Sequence, residues 1–213
     1  MKKTTLIIVL FIASIASIHA QQNKAETLLN RVSEKMSSFK NMYIKFNYTL
    51  VNKEVDMEQQ ASGSVYTQGD KYNLSFMDNI FLYDAQNTYI ILTEDEEINV
   101  VDGNSDEEML NPTKLLFFYK EGFTYELAEK KNVKGNSIQF IKLIPIDSNS
   151  EASYFVIGIN TNTNIIDSIK EVGNNSTETT FSIEEFKANQ DISENLFIFD
   201  ESKYKALNYT INK

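Results

Sequence analysis

Apolar residues at Ala25, Leu28, Leu29, Val32, Met36 and Phe39 recur at helical spacing, the mark of a helix that buries one side and wets the other. Asn23 with Glu26 three residues later fits a capping box. The pattern predicts one amphipathic helix from Lys24 to about Lys40, with Asn41 where it ends. From Met42 the period becomes two. Met42, Ile44, Phe46, Tyr48 and Leu50 alternate with Tyr43, Lys45, Asn47 and Thr49, giving a strand with a greasy face and a mostly polar one. Further runs at Val55 to Thr67, Lys71 to Met77, Ile80 to Asp84, Thr88 to Thr93 and Ile98 to Val101, with a Gly69-Asp70 turn among them, predict an antiparallel meander.

The meander is then interrupted. Ser105 with Glu108 reads as a second capping box, Asn111 as an N-cap ahead of Pro112, and Gly122 as a C-terminal stop. One or two short helices are expected between Asp106 and Glu121. Strands resume at Phe123 to Lys130, Ile138 to Ile144, Tyr154 to Asn160, Ile165 to Val172 and Thr179 to Phe186, with a last extended piece around Leu196 to Phe199. The total is about eleven strands, a mainly β member of the α+β class. Loops such as Asp147 to Ala152 and Gly173 to Ser176 read as surface turns.

The first twenty residues begin with Lys2 and Lys3, continue with an apolar stretch from Leu6 to about Ile15, and end in small residues before Gln21. That is the layout of an exported leader, with cleavage expected near Ala20 and a cut after Ala16 as the alternative. The apolar part falls short of the roughly 20 residues a membrane span needs. A lipidated leader would need a Cys at the cut, and the chain has none. A periplasmic protein is therefore expected, with residues 21–213 as one domain. A chain of this size buries roughly 70% of the surface its unfolded form exposes.

Removing Lys2 and Lys3 takes the formal charge from −10 to −12, since the leader carries no acid. So acidic a surface repels nucleic acid and anionic headgroups. With His19 removed in the leader, no His and no Cys remain. Ser nucleophiles lose their usual base, Cys chemistry is absent, and zinc sites of His and Cys cannot form. Glu94-Asp95-Glu96-Glu97 and Asp106-Glu107-Glu108 leave a calcium site or a glycosidase pair to weigh. Neither has the calcium-loop spacing with its fixed Gly, so a solvated turn and a helix N-terminus are the preferred readings. No enzyme, no catalytic residue, no metal and no cofactor are expected.

One run stands out from this polar background. Leu115-Leu116-Phe117-Phe118-Tyr119 is oily through more than one helical turn, so it must be covered on more than one face or must itself cover a cavity. As a plain core helix it would plug the sheet. As a lid it would face Phe46, Tyr48, Tyr72, Leu74, Phe76 and Leu82, strand positions rich in rings that leave gaps for flexible chains. The lid reading takes Leu115, Leu116 and Phe118 as groups competing with ligand, and the strand residues as the cavity wall.

This order of features resembles the LolA-like outer-membrane lipoprotein carriers, in the form seen in Bacteroidetes. The resemblance covers essentially Gln21 to Lys213. It rests on Gly63-Ser64-Val65-Tyr66 followed by a turn and Lys71-Tyr72, on Asp84-Ala85-Gln86-Asn87-Thr88-Tyr89, on Asn111-Pro112, and on Phe197-Ile198-Phe199. It implies a strongly curved, unclosed antiparallel barrel with an N-terminal helix and a helical lid over an apolar cavity. It also implies a carrier that takes lipoprotein acyl chains from an inner-membrane lipoprotein-releasing transporter to an outer-membrane acceptor. A monomer is expected. The chain departs from the family where proteobacterial carriers place a lid-tethering Arg: only Lys71 is basic between Gln68 and Lys71. Ala85 and Tyr89 replace a Gly and a Trp. A lipid-sensing module of the same fold and a secreted carboxylate hydrolase are the alternatives.

Overall fold

The computed structural model describes residues 21–103 and 111–213. The expected leader and the Ser105/Glu108 capping box lie outside the described residues. A first helix, α1, occupies residues 21–37 and buries Ala25, Leu29, Val32 and Met36, the stripe its period predicts. It differs from expectation at both ends. Asn23 is already helical, its carbonyl accepting from the Thr27 hydroxyl at 2.7 Å, so it does not cap. The helix stops before Phe39, whose ring instead lies 5.6 Å from that of Phe186.

The strands are β1 (Asn41–Asn52), β2 (Met57–Gln68), β3 (Lys71–Phe76), β4 (Asn79–Tyr83), β5 (Asn87–Leu92), β6 (Glu97–Asp102), β7 (Phe123–Val133), β8 (Asn136–Pro145), β9 (Ala152–Asn160), β10 (Ile165–Gly173), β11 (Thr177–Ala188) and β12 (Thr210–Asn212). Between β6 and β7 lie α2 (Pro112–Phe117) and a 3-10 turn at Phe118–Lys120. A second 3-10 turn, Glu194–Phe197, and α3 (Glu201–Ala206) separate β11 from β12. The sheet order is β12-β6-β5-β4-β3-β2-β1-β11-β10-β9-β8-β7. Its ends do not meet, so the fold is mainly β with an unclosed, twelve-stranded sheet. The pairs β1–β2, β2–β3, β3–β4, β4–β5, β5–β6, β7–β8, β8–β9 and β9–β10 are antiparallel, and β12 runs parallel to β6.

Three segments depart from the sequence reading. Val55 is not in a strand; β1 and β2 are joined by a turn in which Asp56 takes φ +49°. The extended piece expected around Leu196 to Phe199 is largely the 3-10 turn, opened by the Ser193 hydroxyl accepting from the Asn195 amide. Apolar residues at Leu196, Phe197 and Ile198 suit either conformation, and the Ser193 cap decides it. The short β12 pairs parallel with β6, Ile211 beside Ile98.

The chain forms two compact units. One comprises residues up to Met36 with Tyr119–Thr177, and so holds nearly all of α1 and β7 to β10. Its interior is branched and aliphatic: Ile138, Ile141, Leu143, Ile157 and Ile159 are each fully buried. The other comprises Ser37–Phe118 with Glu178–Lys213, and so holds β1 to β6, α2, α3 and nearly all of β11. Within it, β1 is tied to the far end of β11. The Lys40 amide donates to the Asn189 side-chain carbonyl at 2.8 Å. Asn41, 3% exposed, donates its amide to the Gln190 carbonyl and accepts from the Gln190 amide, both at 2.9 Å, across 149 residues.

Candidate functional site

The pairing registers of the β1–β6 unit define two faces, because residues opposite one another in an antiparallel pair point the same way. One row runs Met42, Thr67, Tyr72, Tyr83, Thr88, Val101 and the next Ile44, Val65, Leu74, Phe81, Ile90. A third runs Phe46, Gly63, Phe76. Five of the six expected wall residues, Phe46, Tyr48, Tyr72, Leu74 and Phe76, thus share one face. Leu82 does not. It pairs with Asn73 and Tyr89 and so lies on the opposite face. That face is held by the C-terminal segment: Asn73 donates to the Leu196 carbonyl at 2.7 Å and Tyr89 stacks on Phe199 at 4.1 Å. Strands β4 and β5 are apolar on both sides, which alternation alone cannot sort.

At one end of the first face, four rings gather. Phe46 lies 5.7 Å from Phe76 and 5.8 Å from Phe181, and Tyr48 lies 5.3 Å from Phe76 and 5.2 Å from Phe181. Their tilted and edge-on geometry is favourable for the ring quadrupoles. Phe46, Tyr48 and Phe181 are half-buried, so the cluster is an apolar surface that is not closed over. Gly63 makes room for it: a Cβ there would fall 2.5 Å from the Phe46 ring and 2.9 Å from the Ser75 carbonyl oxygen. Phe181, on β11, was not singled out from the sequence. Its alternation with Ile183 placed it on one face of a strand, but nothing local said that β11 would neighbour β1.

The face carries no fixed charge among these side chains. Burial pushes the Tyr48 phenol above its ordinary range and does the same for Tyr72, against an opposing hydrogen bond from Thr88. Both stay neutral at physiological pH, so they add no charge to this apolar surface. Among the described residues, no three His, Cys, Asp or Glu side chains are grouped to hold a metal ion. Glu94, Asp95 and Glu96 lie in the β5–β6 turn, with Glu96 at φ +53°, and Glu97 opens β6.

α2 packs against β3. Its start follows the sequence: the Asn111 side chain accepts from the Thr113 and Lys114 amides, each at 3.0 Å, ahead of Pro112. Leu116 is 7% exposed, and Leu115, Phe117 and Phe118 are half-buried. Gly122 takes φ +88° just beyond, the left-handed conformation that ends such a segment. All three expected lid residues, Leu115, Leu116 and Phe118, therefore belong to the same unit as the ring cluster.

No protein-family model matches the sequence, and no curated protein does either. Solved structures do share the fold. An uncharacterized conserved protein from Thermus thermophilus aligns with a TM-score of 0.55 at 8% identity, over 88% of this chain and 98% of that one. The lipoprotein LppX of Mycobacterium tuberculosis aligns with a TM-score of 0.50 at 12% identity, over 80% and 98%. A LolA superfamily protein from Nitrosomonas europaea aligns at 0.43 and 8% identity, over 83% and 98%. At such identities the likeness is one of fold: the chain has the mainly β, open-sheet architecture of the Thermus protein and LppX along nearly all of their length.

Proposed function

We propose that this protein is an exported carrier of acyl chains. Phe46, Tyr48, Tyr72, Leu74 and Phe76, with Phe181, form the wall that holds the chains, and Leu115 and Leu116 of α2, with Phe118 just after it, compete for that wall. The observation that carries this reading is the half-open, uncharged cluster of four rings on one face of β1, β3 and β11. The resemblance to LolA-like carriers supplies the cargo and route: lipoproteins received in the periplasm from an inner-membrane transporter and delivered to an outer-membrane acceptor.

Energetics constrain how such a carrier works. Burying a methylene gains about 0.8 kcal/mol, so enclosing one long acyl chain gains on the order of 10 kcal/mol. Binding that tight forbids hand-over. If the α2 side chains cover the wall in the empty protein, displacing them exposes apolar surface and offsets much of the gain. The carrier then holds its cargo firmly enough to cross water and loosely enough to release it.

The test is binding of a synthetic triacylated lipopeptide to the purified mature chain, read by native mass spectrometry. Leu115→Asp, at a half-buried position, is expected to abolish retention while leaving the unfolding midpoint near that of the parent. Leu116→Asp is expected to do the same at greater cost to stability, because that side chain is buried. Phe181→Ala is expected to weaken binding at least ten-fold. Undiminished binding in Leu115→Asp and Phe181→Ala overturns the assignment of lid and wall.

A further inference from the structure

The chain has a single arginine among 20 basic residues, in a molecule of net charge −10. That residue, Arg31, does not lie loose on the surface. With Lys24, Thr27 and Leu28 it lines a groove of about 370 Å³ beside α1, whose other wall is Leu127 of β7, Gln139 of β8 and Thr161. Positions 24, 27, 28 and 31 fall at steps of three and four, one face of the helix. They interleave with the buried stripe at 25, 29, 32 and 36, so this second face is left over after α1 has docked. Among the described residues neither Lys24 nor Arg31 is in an ion pair.

The strand wall is specially shaped here. β7 breaks register with β8 between Leu127 and Lys130, leaving carbonyls that the ladder does not use. The Gln139 side-chain amide meets them, donating to Ala128 at 2.7 Å and Glu129 at 3.3 Å, and to its neighbour Phe140 at 3.0 Å. With its NH2 engaged, Gln139 has only its carbonyl oxygen to offer, an acceptor for a backbone N–H.

We propose that this groove docks an extended acidic segment of a partner protein, two carboxylates flanking an apolar residue. Lys24 and Arg31 are seven residues apart, about 10 Å along the helix. Carboxylates four residues apart on an extended strand lie on one face together with the residue midway between them and span about 13 Å, within reach of these two long side chains. Leu28 and Leu127 form the apolar floor between the two cations, and the Arg31 fork suits a carboxylate. Lys24 and Arg31 match the segment's carboxylates in sign, which gives the groove its specificity on an otherwise acidic molecule. The groove lies in the β7–β10 unit and uses none of the acyl-chain residues, so its fate is independent of the proposed function.

The test is titration of the isotope-labelled mature chain with a synthetic peptide containing Asp-Gly-Leu-Gly-Asp, followed by amide chemical shifts at low salt. A matched peptide with Asn for Asp is the control. Expected are shifts confined to Thr27, Leu28, Gln139 and Thr161, a Kd raised at least ten-fold in Arg31→Gln and in Lys24→Gln, and no change in Lys53→Gln. The double variant Lys24→Glu with Arg31→Glu is expected to bind a Lys-Gly-Leu-Gly-Lys peptide in its place. Parent-like binding by Arg31→Gln, equal binding of the Asn peptide, or shifts elsewhere overturns the proposal. So does Arg31-dependent sedimentation with phosphatidylglycerol vesicles, which assigns the groove to a lipid surface. Arg31-dependent self-association in ultracentrifugation assigns it to a second copy of the chain and overturns it equally.

Discussion

A missing methyl group shapes the aromatic face. Gly63 sits between Phe46 and Phe76 in register, and the Phe46 ring lies where a side chain would be. Because one neighbour of that added Cβ is backbone, the Ser75 carbonyl oxygen, the site cannot relax by rotating a side chain alone. Gly63→Ala is expected to cost about 1–3 kcal/mol in denaturant unfolding and to weaken lipopeptide binding by pushing Phe46 off Phe76. A neutral effect on both would show that the ring moves freely. At the same scale, Leu82 shows the limit of reading side chains by identity: a buried leucine on an apolar strand belongs to whichever face its register gives it, and only the Asn73 and Tyr89 pairings reveal which.

Among the elements, the β3–β4 hairpin is joined by Met77 and Asp78, both left-handed at φ +50° and +60°. A two-residue turn of this kind prefers Asn then Gly, and a left-handed backbone costs an ordinary residue about 1–2 kcal/mol. Met77 is 37% exposed and gains little from burial. Met77→Asn is therefore expected to stabilise the protein by about 1 kcal/mol, visible as a higher urea midpoint at constant slope; a lower midpoint would mean that the methionine packs more than its exposure suggests. The strong periodic signals were legible: the buried stripe of α1, the alternation of β1, the Asn111-Pro112 start of α2. Weak or two-sided signals were not. β12 has three residues and exists by pairing with β6, and α3 begins at a cap, Asp200 accepting from Lys203, inside a stretch read as the chain's tail. Five of the expected wall residues could be grouped from the sequence because they alternate along β1 and β3. Phe181 escaped because its neighbours come from the other end of the sequence.

For the molecule as a whole, acidity acts at particular places. On β10, burial and then the charge of Glu151 hold the Glu171 carboxyl above its ordinary value. A folded-state value raised in this way adds stability below the unfolded value and loses it as pH rises through the folded one. At neutral pH the ionised Glu171 is thus a cost. Glu171→Gln is expected to raise Tm at pH 7, with the advantage shrinking toward zero below pH 4; an advantage equal at both would assign the effect to packing. The first strand of the β1–β6 unit has a different consequence. Lys40 and Asn41 find their partners at Asn189 and Gln190, so an early strand waits for a late one. At about 5–20 residues per second, a ribosome takes roughly 7–30 seconds to supply them. Throughout that interval the nascent β1 has a bare flank able to join any stray neighbour, and a half-made chain is open to mispairing until its own tail arrives.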